Sequence, residues 1–335
     1  MKKIELGRTG MMVNRIGFGG IPIQRLDKAD SDRLLEKAYE SGINFFDSAR
    51  AYTDSEEKMG RIFPKYRDKV YLASKTLNRT AEGAAADVET SLRNFRTDYI
   101  DLYQCHNVPS EEDLEKILAP GGAVEALLKA REAGKISHIG ITVHKPWIGV
   151  KALEHFETVQ APFNIIENAA LENLIPEAKK KKAGLIAMKP VAGGALKEVV
   201  LNLRYTLNSG IDVAIPGMDE LGQVDENLSA LEDLKPLTEE EVKMLGAEKE
   251  RLGEKFCRRC EYCMPCPNGL PISFLHVLIA YYHNYDLKDW VYQRLAALPK
   301  TFKDCTQCGE CVKKCPYALD TPEIFKRAAA EIEKI

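Results

Sequence analysis

Outside two short stretches the chain has almost no cysteine: of nine in all, only Cys105 lies beyond residues 257–266 and 305–315. It also lacks a long apolar run. None reaches the roughly eighteen residues needed to cross a bilayer, which argues against a membrane-spanning helix and a membrane partner. The opening MKKIELGRTG has no apolar signal-peptide core, so the cytoplasm is the expected location. A surplus of basic charge is missing too. With 47 Lys+Arg against 50 Asp+Glu the net charge is -3, and neither nucleic acid nor an anionic surface is suggested as a partner. The basic run KKKK at 179–182 reads as the solvated last turn of a helix, where cations suit the dipole. There is no low-complexity segment, and no internal repeat beyond the two cysteine-rich stretches.

What is present is an ordinary globular composition, 45% hydrophobic and 29% charged over 335 residues. That length exceeds one common compact domain unless most of it is a single α/β barrel with an addition. Eight short apolar runs alternate with amphipathic stretches: RIGFG (15–19), INFFD (43–47), KVYLASK (69–75), YIDLYQC (99–105), ISHIGIT (136–142), TVQAPFN (158–164), GLIAMKP (184–190) and DVAIPG (212–217). Between them, ADSDRLLEKAYESG (29–42) predicts a helix capped by Asp30 or Ser31 and stopped at Gly42, and TAEGAAADVETSLRNF (80–95) predicts another. Eight strand–helix units predict an α/β fold, a (β/α)8 TIM barrel, entered through a small hairpin with Gly10 at its turn. LKPLTEEEVKMLGAEKERLGEKF (234–256) predicts a charged helix leading out. The expected division is a barrel over residues 1–250 and a mainly helical ferredoxin-like domain over 251–335.

The cysteines explain that second domain. CRRCEYCMPCPNG (257–269) and DCTQCGECVKKCPY (304–317) carry four each at a three-residue beat closed by a proline. In a reducing compartment such clusters favour metal or redox chemistry over disulfides. The second run has the C-x2-C-x2-C-x3-C-P spacing of a bacterial 4Fe–4S ferredoxin, in which the fourth cysteine reaches the other cluster. The assignment therefore crosses over: Cys257, Cys260 and Cys263 with Cys315, and Cys305, Cys308 and Cys311 with Cys266. Gly309 lets backbone amides approach the cluster sulfides. Two four-thiolate zinc sites are the competing reading, although zinc ribbons usually separate two C-x2-C knuckles by a longer loop. Cys105 reads as a small apolar side chain ending a strand.

Asp47, Lys75 and His106 each end or just follow a predicted strand, and Tyr52 lies in the loop after Asp47. Those positions face the C-terminal mouth of a barrel, where barrel enzymes keep their active sites. Reducing a carbonyl requires a proton donor at the oxygen as charge develops there. A phenol donates poorly near neutrality unless a nearby ammonium favours its ionised form. IELGRTGMMVNRIGFGG, NFFDSARAYTDSE, LASKT, LYQCHN and IPGMDELGQVDENLSA, in that order over about 230 residues, resemble the aldo-keto reductase family, here the iron–sulfur subgroup with a C-terminal two-cluster ferredoxin-like domain. The resemblance implies an Asp47–Tyr52–Lys75–His106 tetrad: Tyr52 the acid, Lys75 its activator, Asp47 the holder of Lys75, His106 the orienter of the carbonyl.

The resemblance also implies a nicotinamide site. Thr142 and Asn164 fall where the family holds the carboxamide, with Val143 where an asparagine is common. Met188, Lys189, Pro190 and Gly194 belong to the loop over the pyrophosphate; Met188 stands where an aromatic ring often stacks, and Lys189 where a serine is usual. Gly217, Met218, Gln223, Glu226 and Asn227 correspond to the adenine side. That segment has Asp219, Glu220 and Gln223 where cations usually neutralise a 2′-phosphate, which favours NADH over NADPH. His144 borders the same mouth. The expected function is nicotinamide-dependent reduction of a small-molecule carbonyl, with the clusters structural or electron-carrying. Two alternatives stand beside it. In one, a ferredoxin-like partner feeds the clusters, which pass single electrons to a flavin or a substrate at the barrel mouth. In the other, the chain is a non-enzymatic electron carrier or redox sensor.

Overall fold

The computed structural model describes residues 2–253, 257, 263–284, 286–315 and 318–333. Its contacts divide into two units, Met1–Ala192 with Glu198–Val242, and Gly193–Lys197 with Lys243–Ile335.

The first unit opens with the hairpin β1 (Ile4–Glu5) and β2 (Met12–Val13), paired Ile4↔Val13, with Gly10 at φ +73 in its turn. Eight parallel strands follow: β3 (Phe18–Gly19), β4 (Phe45–Asp47), β5 (Tyr71–Thr76), β6 (Ile100–Cys105), β7 (Ile136–Thr142), β8 (Thr158–Pro162), β9 (Gly184–Met188) and β10 (Val213–Ile215). Each pairs with the next, and isolated parallel bridges Ile16↔Ala214 and Gly19↔Gly217 bring the first back to the last, so the barrel is nearly closed. Every predicted strand is present, although most are shorter than the apolar run that announced them.

The helices that cover these strands are α1 (Lys28–Glu40), α2 (Ser55–Ile62), α3 (Ala81–Phe95), α4 (Glu111–Leu118), α5 (Ala123–Glu132), α6 (Pro146–Ala152), α7 (Leu174–Lys181), α8 (Val199–Asn208) and α9 (Leu221–Ser229). Of three nearby aspartates, the one that caps α1 is Asp27, one turn before the expected Asp30 or Ser31; its carboxylate accepts from Asp30 N at 2.8 Å. Thr80 caps α3, and the lysine run ends α7 with Lys182 left-handed at φ +53.

Two apolar layers follow from the two-residue period of the strands. Phe46, Leu72, Tyr103, Ile141 and Val159 point outward into the helices. Phe45, Ala73, Leu102, Ile186 and Val213 point inward, and the hairpin residues Leu6, Met11 and Val13 pack on them, sealing the N-terminal end of the barrel. Each Val, Leu, Ile, Phe or Met among them contributes about 1.5–3 kcal/mol by leaving water. The seal requires a glycine: Gly7 sits at φ +58, and a Cβ there would lie 2.1 Å from Gly184 N. Two residues further along the inward rows the side chains turn polar, at Asp47, Lys75, Gln104, Thr142 and Gln160, all buried. That polar layer is at the C-terminal mouth.

The unit boundary falls within α10 (Glu239–Gly253). In the second unit, Lys197 N donates to Glu248 Oε1 at 2.6 Å and the Arg251 guanidinium to Ala195 O at 3.2 Å, which ties in the 193–197 segment. Then come α11 (Ile272–Asn284), α12 (Lys288–Ala296), α13 (Glu310–Lys314) and α14 (Thr321–Ile332). Their core is separate from the barrel's and includes Leu275, Leu278, Val291, Phe302 and Phe325.

Candidate active site and metal centre

The polar layer brings the four predicted barrel residues together. Lys75 is fully buried at the end of β5, and its Nζ donates to Asp47 Oδ2 at 2.6 Å and to Ser48 O at 2.5 Å. Burial pushes the Asp47 carboxyl up and the Lys75 ammonium down, and each charge opposes the shift of the other. Removing one partner of such a pair costs about 3–5 kcal/mol. Above it, Lys75 Nζ lies 4.9 Å from the Tyr52 ring centroid. The His106 ring stands edge-on to Tyr52 with centroids 5.8 Å apart. Burial, then the cations Lys75, Arg79 and Lys189, hold the His106 imidazole well below its usual range, so it is neutral near pH 7. Its Nδ1 is buried without a hydrogen-bond partner among the described residues.

Sequence reasoning missed the supports of this group. Gln104 Nε2 donates to Gln160 Oε1 at 3.0 Å and reaches Asp47 Oδ1 at 3.4 Å, while Gln104 Oε1 is buried without a partner among the described residues. Glu56, in the helix after Tyr52, accepts from Ser74 (2.5 Å), Ser91 (2.6 Å) and Asn94 (2.9 Å), tying that loop to β5 and α3. Arg79 donates to the carbonyls of His106 (3.0 Å) and Asn107 (2.8 Å) and so holds the loop after β6. The available signal for Gln104 and Gln160 was a glutamine at an inward position of two mainly apolar runs, YIDLYQC and TVQAPFN.

The predicted cofactor residues are differently placed. Thr142 Oγ1 accepts from Asn107 N at 2.7 Å and keeps its own proton to give. Asn164 is engaged at both ends of its amide, donating to Lys189 O (3.0 Å) and accepting from Ile166 N and Glu167 N. Met188 ends β9 and is partly buried; Lys189 follows at φ +56, and Pro190 is buried. Gly194, at φ +84, belongs to the second unit. Gly217 is exposed, whereas the side chains of Met218 and Asn227 are buried. Gln223 Oε1 accepts from Asp219 N and Glu220 N at the start of α9, and Glu226 is exposed. Arg25 pairs with Asp219, a cation the sequence did not point to. Cys105 is fully buried at the end of β6, and burial pushes its thiol up to about 12.

In the second unit, Cys266, Cys305, Cys308 and Cys311 line one small cavity, with Gly309, Thr321 and Phe325 among its walls. This is one of the two predicted ligand sets, with the four thiols a cluster requires, although among the described residues no three such side chains are arranged to hold a single metal ion. Burial and the nearby Cys305 and Cys308 push the Cys311 thiol up. Gly309 has φ +75. Cys257, Cys263 and Cys315 are each partly exposed, and Cys260 lies outside the described residues.

Comparison with known proteins shows the family of each part of the chain. Residues 15–205 match the aldo/keto reductase family and residues 256–319 match a 4Fe-4S dicluster domain. L-galactose dehydrogenase of Arabidopsis thaliana is 27% identical over 310 residues, covering 76% of this chain and 94% of that protein. Aldo-keto reductase YhdN of Bacillus subtilis is 32% identical over 221 residues, 58% of this chain and 64% of that protein. Among solved structures, aldo-keto reductase AKR11C1 from Bacillus halodurans, holo form, matches with a TM-score of 0.64 at 25% identity, over 74% of this chain and 96% of that one. The family generally uses NAD(P)H. Among the described residues no helix is long and apolar enough to cross a membrane. The first match spans more than half of the chain, so this protein is an oxidoreductase of the aldo/keto reductase family with a 4Fe-4S dicluster domain near its C-terminus.

Proposed function

We propose that the barrel reduces a small aldehyde or ketone to the alcohol with a nicotinamide cofactor, NADH in preference to NADPH. The observation that carries this reading is the buried Lys75 ammonium, paired with Asp47 at 2.6 Å and lying 4.9 Å from the Tyr52 ring, with a neutral His106 beside it. The reduced cofactor, when bound, supplies a hydride to the carbonyl carbon. Tyr52 gives its phenolic proton to the carbonyl oxygen, and Lys75 stabilises the charge left on the phenol oxygen. Asp47 keeps Lys75 in place. His106 donates to the same oxygen and orients it. Thr142, through its hydroxyl proton, is the residue that would hold the carboxamide. On the adenine side Glu220 is exposed and Arg25 is already engaged with Asp219, which supports a free ribose hydroxyl over a phosphate. Substituting Tyr52→Phe tests the assignment. The expected outcome is a loss of kcat of about 100-fold or more with cofactor affinity retained; near-wild-type reduction removes Tyr52 as the acid.

A second reading is favoured by the four thiols around one cavity: clusters, fed by a ferredoxin-like donor, passing single electrons to a flavin or a substrate. An anaerobic visible spectrum with cofactor extraction separates the two. Flavin bands support the electron wire. Clusters that stay oxidised while NADH is consumed with an aldehyde support the independent reductase.

A further inference from the structure

We propose that Ser48 and Ser55 are positioning residues for Tyr52: their hydroxyls form a clasp that closes the loop carrying it and holds the phenol beside the Lys75 ammonium. The inference deepens the reading of Tyr52 as the proton donor of a carbonyl reductase and rests on it. Both serines are fully buried, and Ser48 Oγ lies 2.8 Å from Ser55 Oγ. Ser55 Oγ also donates to Gly20 O at 2.9 Å. A hydroxyl has one proton and a carbonyl oxygen only accepts, so the Ser55 proton is engaged and Ser48 is the donor between them. The bonds run in one direction, from the residue after β4, through the start of α2, to the residue after β3.

Residues 49–54 lie between the serines, with Tyr52 among them. Within that loop Tyr52 N donates to Ala49 O at 3.0 Å and Ser55 N to Tyr52 O at 2.8 Å, as successive tight turns. Thr53, next to Tyr52, has φ +29, a left-handed conformation that a β-branched residue keeps only when its surroundings enforce it. The enforcement comes from the neighbouring loop and from α2. The Thr53 hydroxyl reaches Gln24 Oε1 at 2.9 Å, and Lys58 Nζ holds Asp54 Oδ2 and Ile23 O, each at 2.8 Å. The clasp is the inner closure of this loop and has no spare room: a Cβ at Gly20 would lie 2.8 Å from Ser55 Oγ and 2.7 Å from Asp47 O.

Ser48 joins the clasp to the ammonium. Its N–H donates to Ala73 O at 2.8 Å, and its carbonyl accepts from Lys75 Nζ at 2.5 Å. One residue thus anchors Lys75 through its backbone and the Tyr52 loop through its side chain. The 4.9 Å between Nζ and the phenol ring is set there. A misplacement of about 1 Å at a reacting group can cost about 100-fold in rate, and the Lys75 charge favours an ionised phenol only at short range. A buried clasp governs both without touching substrate.

The test uses the holoprotein with NADH and 4-nitrobenzaldehyde, in wild type, Ser48→Ala, Ser55→Ala and the double variant. Ser48→Ala is the milder change, because Ser55 keeps its bond to Gly20; either single variant suffices where the other fails to fold. Each is expected to lower kcat about tenfold, with KM and NADH binding by calorimetry unchanged, and the double variant to lose no more than Ser55→Ala alone. A second readout needs no turnover. In protein carrying 3-fluorotyrosine, the fluorine resonance that vanishes in Tyr52→Phe belongs to Tyr52. Its titration midpoint is expected to rise in Ser48→Ala as the phenol leaves the ammonium. An unchanged kcat overturns the clasp, and so do additive losses in the double variant. A loss of kcat with an unmoved midpoint overturns it too, since that is general loosening rather than displacement of Tyr52. If wild type does not reduce the aldehyde, that failure falls on the carbonyl reading, and the fluorine titration alone decides the clasp: a raised midpoint retains it and an equal one ends it.

Discussion

His106 and His276 are both imidazoles held neutral by burial, and each creates a different dependence on pH. His276 in α11 shares a hydrogen bond with Thr321 Oγ1 at 3.0 Å, and burial lowers it to about 4. Unfolded, the same ring titrates near 6.5, so below that pH the unfolded chain binds a proton that the folded chain refuses. Stability is present above about 6.5 and falls as pH drops, by about 2 kcal/mol between pH 7 and pH 5. Denaturant unfolding of the holoprotein at both values checks this, since His276→Gln should flatten the loss; an equally steep loss in the variant excludes His276 as its source. His106 is shifted in the same direction by burial and by three cations. The kcat/KM profile should therefore show no His106 limb near pH 6.5, and a limb there that disappears in His106→Gln contradicts the neutral assignment. At this scale Asp47, Lys75 and His106 were legible as polar groups that end or follow apolar runs, and Tyr52 through the family resemblance of the loop after Asp47. Arg79, Glu56, Gln104 and Gln160 were not, because their partners lie on other strands and loops and are met only when the barrel closes.

Among the elements, the hairpin is the most exacting. Gly7→Ala would place a methyl 2.1 Å from Gly184 N in a left-handed backbone, whereas Gly10→Ala, at φ +73, meets nothing within 4 Å. The first substitution should cost about 2–4 kcal/mol and the second about 1 kcal/mol, read as urea midpoints at constant m-value. Equal costs would show that the hairpin is not seated against β9 as described. Strand existence was readable from the alternation of apolar runs with helical ones. Strand length was not, because the apolar runs continue into loops that the barrel also buries. The α1 cap was misplaced by one turn for a related reason: DKADSD offers several capping side chains, and the packing of the helix selects Asp27.

For the whole molecule, two separate cores predict two unfolding transitions. Removing iron with a chelator under reducing conditions should lower the transition of the second unit and leave that of the barrel, as seen by calorimetry; a single merged transition throughout contradicts independent cores. The crossed ligand sets make a sharper forecast. Cys266→Ser should reduce iron from about eight to about four atoms per chain and remove the cluster held by Cys305, Cys308 and Cys311, not the one assigned to its own run. Retention of that cluster, with loss of the other, reverses the pairing. The cysteine beat made two clusters legible in the sequence, and with them the crossing of Cys266 to the distant triplet, whose members line one cavity with it.

The hairpin seal has one further consequence, for the traffic of protons. Leu6, Met11 and Val13 stop one end of the barrel, and Lys75 has no exposure at all. Water therefore has no route to the ammonium from beneath. If the barrel reduces carbonyls as proposed, a proton given away by Tyr52 would be replaced from the side on which substrate enters and alcohol leaves, so recharging and product departure would share one doorway.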